Sequence, residues 1–148
     1  MIRRLPEPFQ DTALLIARLL IGAAMFAYGW DKMVTHGYRA TVAGFAKVGV
    51  PLPPVTAGFA GIVELVGGAL LIIGAATAVV GTLIVIDMAG AILTTHQYTS
   101  VLAQDHGFAL SGSILAGALL IAAVGAGRYS VDGAVRPRQR AAQTSKTI

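Results

Sequence analysis

The sequence predicts an all-α membrane protein built as a polytopic four-helix bundle, and three observations lead to that prediction. The chain of 148 residues is 55% hydrophobic and only 12% charged, whereas a typical soluble domain has about 25% charged residues. Its apolar residues form long runs with no strand-like alternation, which favours helices over a β-barrel. Its 18 glycines are typical of membrane helices, because small residues let helix backbones approach closely.

The apolar residues fall into four runs, approximately Thr12–Trp30, Thr56–Ala75, Thr77–Thr94 and Phe108–Ala126. At ~1.5 Å per residue, each run is long enough to cross a hydrocarbon core of ~30 Å. The second and third runs are separated only by a tight turn, so we expect them to form a helical hairpin. The sequence therefore predicts one four-helix transmembrane domain, residues 1–135, followed by a basic tail, residues 136–148, that we expect to be disordered.

The segment between the first two runs has an amphipathic pattern. Tyr38, Val42 and Phe45 share one helical face, and a proline-rich cluster follows at 51–54. This pattern predicts a short external helix that lies in the membrane interface and ends at the prolines.

Lysine and arginine placement predicts the orientation of the chain. The formal net charge is +4, and four basic residues crowd into the C-terminal tail: Arg136, Arg138, Arg140 and Lys146. Such tails stay on the cytoplasmic side and contact lipid headgroups. With four spans, both termini are then cytoplasmic. The lipid bilayer is the expected partner of this charge, and nucleic acid is not.

Three charged residues, Arg18, Glu64 and Asp87, lie inside different apolar runs. Charge at such depth costs ~3 kcal/mol per residue on insertion scales, so it is by default a functional-site hypothesis. Each charge shares a helical face with small residues, as Arg18 does with Gly22 and Glu64 with Gly68. We therefore predict that all three point into the bundle as one polar core, in which Arg18 pairs with one carboxylate and the other carboxyl is protonated.

Two interpretations of this core remain open. It is either a structural ion pair that locks helix register or a site for protons or a quinone headgroup. In the second case Arg18 would donate to a quinone carbonyl, and Glu64 or Asp87 would supply a proton. Asp31 and Lys32 are predicted to close the first helix at the interface. The predicted helix-packing positions are Gly22, Gly67, Gly68, Ser113 and Gly117.

Other chemistry is absent from the sequence. The chain has no cysteine, which excludes thiolate nucleophiles, iron–sulfur clusters and thiolate zinc sites. It also has no phosphate loop, dinucleotide fingerprint or hydrolase elbow. Its three histidines, His36, His96 and His106, lack metal-motif spacing. We therefore expect no metal, no intrinsic cofactor and no catalysis by this chain alone.

Several short motifs follow one another in a specific order. They are Arg18 followed by residues 29–32 (GWDK), residues 48–51 (VGVP), Glu64 with residues 67–74 (GGALLIIG), Asp87 with Met88, and residues 125–132 (GAGRYSVD). In this order and spacing, from Thr12 to Asp132, the chain resembles the DoxX family of small bacterial membrane proteins.

The resemblance implies a four-helix protein of the bacterial inner membrane. Some DoxX proteins are associated with quinone-linked oxidoreductases, including thiosulfate:quinone oxidoreductase subunits. A mycobacterial relative is linked to a membrane complex with superoxide dismutase and a thiosulfate sulfurtransferase. The expectation is therefore an accessory or anchoring subunit of a respiratory or quinone-linked oxidoreductase complex, with other membrane subunits as partners. The alternatives are a subunit that itself binds quinone through Arg18, Glu64 and Asp87, and a small oligomeric transporter.

Overall fold

The computed structural model describes residues 6–95, 97–102 and 105–135, and the secondary structure of these ranges is helical without any strand. The α-helices are α1 (Glu7–Trp30), α2 (Tyr38–Lys47), α3 (Pro53–Ile62), α4 (Gly68–Ile73), α5 (Thr77–Thr94) and α6 (Ala109–Val124). The all-α prediction is confirmed. The basic tail and the N-terminal arginines lie outside the described residues.

Two π-helical segments join α-helices into longer rods. The first, π1 (Asp31–Thr35), continues α1, and the second, π2 (Val63–Gly67), connects α3 to α4. The resulting helices Pro8–Thr35 and Pro53–Ile73, together with α5, are long and apolar enough to cross a membrane. The fourth apolar run forms α6, which is shorter at 16 residues. Three of the four predicted runs thus form helices of membrane-spanning length.

The predicted helical hairpin forms between α4 and α5. Helix α4 ends at Gly74, whose φ of 70° lies in the left-handed region. Glycine adopts that conformation without steric cost, which is why it commonly ends helices. Ala76 follows in the same region with φ 49°, and α5 begins at the next residue.

The helices pack in two tight pairs, α5 against α6 and α1 against π2 and α4. At the second contact, a Cβ added to Gly22 would stand 2.7 Å from Ile72 Cγ1 and 2.9 Å from the carbonyl oxygen of Gly68, so a larger residue would separate the helices. A hydrophobic core fills the space between the pairs. Its fully or almost fully buried members include Met25, Leu71, Ile84, Ala118 and Ile121.

The other predicted packing positions differ in how closely they contact neighbouring helices. A Cβ at Gly67 would make an ordinary contact of 3.5 Å with Val80, and one at Gly117 would overlap the side chain of Ile21. Ser113 is exposed, and its hydroxyl donates to the carbonyl of Ala109 in its own helix at 2.6 Å. Ser113 therefore packs against no other helix in the described part of this chain, and its role as a packing position for a partner helix stays a prediction.

The predicted short helix between the first two runs is α2, which packs against α3. Tyr38 donates its hydroxyl to the carbonyl of Pro54 at 2.7 Å. The buried hydroxyl of Thr41 donates to the carbonyl of Lys32 at 2.8 Å. These bonds hold α2 across the ends of the two long helices. Its position in the membrane interface stays a prediction.

Candidate functional site

The ion pair inside the helical core joins Lys32 and Glu64. The ammonium group of Lys32 donates to Glu64 Oε1, and the Glu64 side chain is almost completely buried. Lys32 keeps 27% of its side chain exposed, since its stem passes from the end of α1 towards the interior. The prediction that Arg18 pairs with a carboxylate of this core is therefore wrong, because Lys32 is the cation that pairs with Glu64. The interfacial position of Lys32 stays a prediction.

Both partners of this pair lie in π-helical turns. Lys32 is the second residue of π1, and Glu64 is the second residue of π2. In π1 the backbone N–H of His36 donates to the carbonyl of Asp31 at 2.9 Å, a bond that spans five residues instead of four. Such a wide turn changes the direction of the side chains that follow it, and π-turns are frequent at functional sites. Here the two turns place Lys32 opposite Glu64.

A close backbone contact beside the ion pair brings the end of α1 against π2. A Cβ at Gly29 would overlap the backbone of Leu65 and the carbonyl carbon of Glu64. On the other side of the pair, a Cβ at Gly61 would overlap the side chain of Met33. Gly29 therefore permits the close approach of α1 to π2 beside the ion pair, whereas at Gly61 the overlap involves only the flexible side chain of Met33.

Asp87 of α5 completes the site. Its residue exposure is 7%, and it lies close enough to Glu64 and Lys32 for their charges to interact. Asp87 Oδ2 and Glu64 Oε2 are buried and have no hydrogen-bond partner in the described part of the chain. Lys32, Glu64 and Asp87, which we call the buried cluster, would carry one net negative charge if all three were ionised. One acid is thus paired with a cation and the other is not.

Arg18 belongs to a different site, at the α4–α5 turn and the segment after α6. It is fully buried, and its guanidinium donates to the backbone carbonyl of Tyr129. The guanidinium packs against Gly74, where a Cβ would occupy the position of Arg18 Nη1. The predicted polar core therefore divides in two: Glu64 and Asp87 meet Lys32, whereas Arg18 anchors the segment after α6.

That segment, residues 125–132, folds back onto the α4–α5 turn. The carboxylate of Asp132 accepts hydrogen bonds from the backbone N–H groups of Ala76 at 2.9 Å and Thr77 at 2.8 Å. These are unpaired donors at the start of α5, so Asp132 caps the helix. At the start of α1, Asp11 accepts a hydrogen bond from the N–H of Arg128 at 2.9 Å.

Sequence reasoning missed Lys32, Asp132 and Asp11 as site residues. A capping aspartate normally precedes its helix by one position, and Asp132 stands 55 positions from Thr77, so local pattern could not reveal it. The described residues contain no group of three or more histidine, cysteine, aspartate or glutamate side chains that could hold a metal. His36 instead contacts Asp31, at 3.0 Å between Nδ1 and Oδ2, and both are exposed.

The fold and the site together define a multi-pass helical membrane protein with a buried ionic cluster. The sequence profile of the DoxX family matches residues 13–97. This match covers more than half of the chain and includes every member of the buried cluster. The chain belongs to the DoxX family.

Three curated bacterial proteins are similar to this chain. "Putative oxidoreductase CatD" of Bacillus subtilis is 35% identical over 80 residues, which cover 54% of this chain and 57% of that protein. "Inner membrane protein YphA" of Escherichia coli is 29% identical over 80% of this chain and 87% of its own length. "Uncharacterized membrane protein Rv3486" of Mycobacterium tuberculosis is 28% identical over 87% of this chain and 85% of its own length. No solved structure matches the chain.

Proposed function

We propose that this protein is an inner-membrane subunit of a bacterial oxidoreductase complex and that its buried cluster exchanges a proton with a quinone-type ligand. The observation that carries the proposal is the meeting of two buried carboxyl groups, Glu64 and Asp87, with a single cation, Lys32, inside the membrane-spanning part. Intramembrane ionisable residues commonly mark proton relays and ligand sites.

The charge balance of the cluster assigns a role to each carboxyl. Lys32 neutralises Glu64 through a direct salt bridge. Asp87 has no such cation, and an unpaired charge in apolar surroundings is strongly disfavoured, so a buried acid takes up a proton instead. We therefore infer that Asp87 is the neutral member and the group that can give up or accept a proton.

A quinone fits this chemistry because its reduction consumes protons as well as electrons. A general acid must lie within hydrogen-bond reach of the reacting oxygen, and Asp87 Oδ2 has no partner that would compete with a ligand. Arg18 is not the donor in this proposal, because it lies apart from the buried cluster, against Gly74 and the carbonyl of Tyr129. In our proposal Lys32 replaces it as the cation that orients the ligand.

The electrons must come from another subunit. The chain has no cysteine and no recognisable cofactor motif, so it is proposed to act as an accessory or anchoring subunit rather than as a complete enzyme. The similarity to a protein named as an oxidoreductase supports a redox role. The basic C-terminal tail supports cytoplasmic termini, and α6 is proposed to complete a fourth span, which places α2 on the outer side.

Purification in a mild detergent, with mass spectrometry of the proteins and lipids that co-elute, tests the proposal. Oxidoreductase subunits in stoichiometric amounts, with bound quinone, are the expected result. A homo-oligomer that carries neither would overturn the proposal and favour the transporter alternative.

Quinone binding to variants tests the role of the cluster. Lys32→Ala and Asp87→Asn should each weaken binding of a short-chain quinone, measured by titration of the purified protein. The matched control Lys47→Ala changes an exposed lysine of α2 and should leave binding unchanged. Equal binding by all variants would make the cluster a structural ion pair only.

A further inference from the structure

The two arms of the hairpin separate on one side of the buried cluster. Helix α5 packs against π2 and α4, but it has almost no contact with α3, the outer half of the same rod. The contact between the two arms therefore ends near the level of Glu64 and Asp87, on the side of the molecule that carries α2. A bundle that served only to pack helices would gain from contact along their whole length.

Gly90 lies at this separation, one helical turn from Asp87. It is half-buried, yet a Cβ added there would have no atom within 4 Å. Gly29 and Gly68 behave in the opposite way, because a Cβ at either would overlap the backbone of a neighbouring helix. Among the described residues, Gly90 is thus a helical glycine beside the cluster that has unfilled space instead of a neighbour.

The space at Gly90 opens towards the lipid. Ile86 and Leu93, which precede and follow Gly90 on the same flank of α5, are 54% and 65% exposed. Residues three and four positions apart are neighbours on a helix surface, so Gly90 interrupts a row of lipid-facing side chains. At the opposite end of the bundle, Arg18 is fully buried against Gly74 and the carbonyl of Tyr129.

We propose that the space at Gly90 is a lateral entrance through which a lipid-soluble ligand with a hydrogen-bonding headgroup reaches Asp87 from the bilayer. Two buried carboxyl oxygens, Glu64 Oε2 and Asp87 Oδ2, have no partner in the described residues, and in this proposal they bond the headgroup after it enters. An apolar tail would remain in the hydrocarbon beside Ile86 and Leu93. The inference rests on the proposed function, since it gives the route by which the proposed ligand enters.

Dicyclohexylcarbodiimide is a suitable probe, because it is lipid-soluble and adds covalently to protonated carboxyl groups within membranes. The protein in liposomes is treated with the reagent, and mass spectrometry measures the rate at which the peptide containing Asp87 is modified. Modification of Asp87 in the unaltered protein is expected. Asp87→Asn identifies the modified residue, because the adduct should be absent from that variant.

Gly90→Leu fills the entrance and should slow the modification of Asp87 by about tenfold or more, which corresponds to a barrier higher by ~1.4 kcal/mol. The matched control is Gly44→Leu in α2, another helical glycine whose Cβ would have no atom within 4 Å, and it should leave the rate unchanged. Gly90→Ala should give an intermediate rate. Thermal unfolding of each variant in detergent verifies that it is folded.

The proposal of an entrance at Gly90 would be overturned if Asp87 is not modified. It would also be overturned if Asp87 is modified at equal rates in Gly90→Leu and Gly44→Leu. The experiment needs neither a partner subunit nor a quinone. Failure of the proposed function in co-purification therefore leaves this result intact, and the absence of the entrance would leave the co-purification of partner subunits unaffected.

Discussion

Lys32 and Glu64 lie 32 positions apart in the sequence, and each is the second residue of a π-helical turn within a rod of membrane-spanning length. Their salt bridge connects the end of the first rod to the middle of the second. Because Asp87 lies beside them without a cation of its own, the pair determines which acid is free to hold a proton. The following predictions test this arrangement.

Removal of the cation should destabilise the fold. In Lys32→Met, Glu64 remains buried without its partner, and breaking a buried pair from one side costs about 3 kcal/mol or more. The free energy of unfolding, measured by titration with a denaturing detergent, should fall by that amount. Lys47→Met is the control and should unfold like the unaltered protein.

The double variant Lys32→Met, Glu64→Gln should recover much of that loss, since it removes both charges together. A double variant as unstable as Lys32→Met alone would contradict the assignment of this ion pair.

The two carboxyls should respond differently to neutral replacements. Asp87→Asn replaces a protonated acid by a group of similar shape and should change the free energy of unfolding by about 1 kcal/mol or less. Glu64→Gln leaves Lys32 without its anion and should cost clearly more, about 3 kcal/mol. The same denaturation assay measures both. If Asp87→Asn proves the more harmful, Asp87 is the ionised member and our assignment is reversed.

Glycines in the helices should differ in their tolerance of alanine. At Gly29 a Cβ overlaps the backbone of Leu65, so Gly29→Ala must push α1 and π2 apart and should destabilise the protein by about 2 kcal/mol or more. At Gly90 the space is open, and Gly90→Ala should be neutral or stabilising by up to ~1 kcal/mol, because alanine favours helix. Thermal unfolding distinguishes them, and equal effects would refute the close contact at Gly29.

The segment after α6 should detach when its cap is lost. Asp132→Ala removes the acceptor for the N–H groups of Ala76 and Thr77, a change worth about 1 kcal/mol. Limited trypsin digestion, followed by mass spectrometry, should then show faster cleavage after Arg128. Asp105→Ala, in an exposed loop, serves as the control. Cleavage at the same rate in both variants would mean that Asp132 does not hold the segment in place.

Sequence patterns predicted the helices well because their causes are local. A run of apolar residues excludes water whatever surrounds it, and a left-handed residue such as Gly74 ends a helix without reference to distant parts of the chain. The run Thr77–Thr94 forms α5 with the same bounds. The first helix extends past Trp30 to Thr35, because π1 continues it through Asp31 and Lys32. The sequence had predicted that the helix ends at these two charged residues.

The candidate site was harder to predict, because it depends on how the helices are rotated about their axes. Regular helical spacing could not anticipate the π-turns, and each π-turn changes the direction of the residues that follow. The predicted pairing of Arg18 with a carboxylate assumed that the charges in the spans meet one another. Instead, Arg18 lies at the level of Gly74 and Tyr129, at the end of the bundle formed by the α4–α5 turn.

The sequence by itself determined that this protein is helical, that it is built for a membrane, and that Arg18, Glu64 and Asp87 lie within its apolar runs, because the hydrophobic pattern and the cost of charge at depth act on each helix separately. Only the tertiary structure decided that Lys32 is the partner of Glu64 and that Asp132 caps α5. Those pairings follow from the close approach of helices at glycines such as Gly29 and from the extra residue in each π-turn, which together determine the side chains that meet.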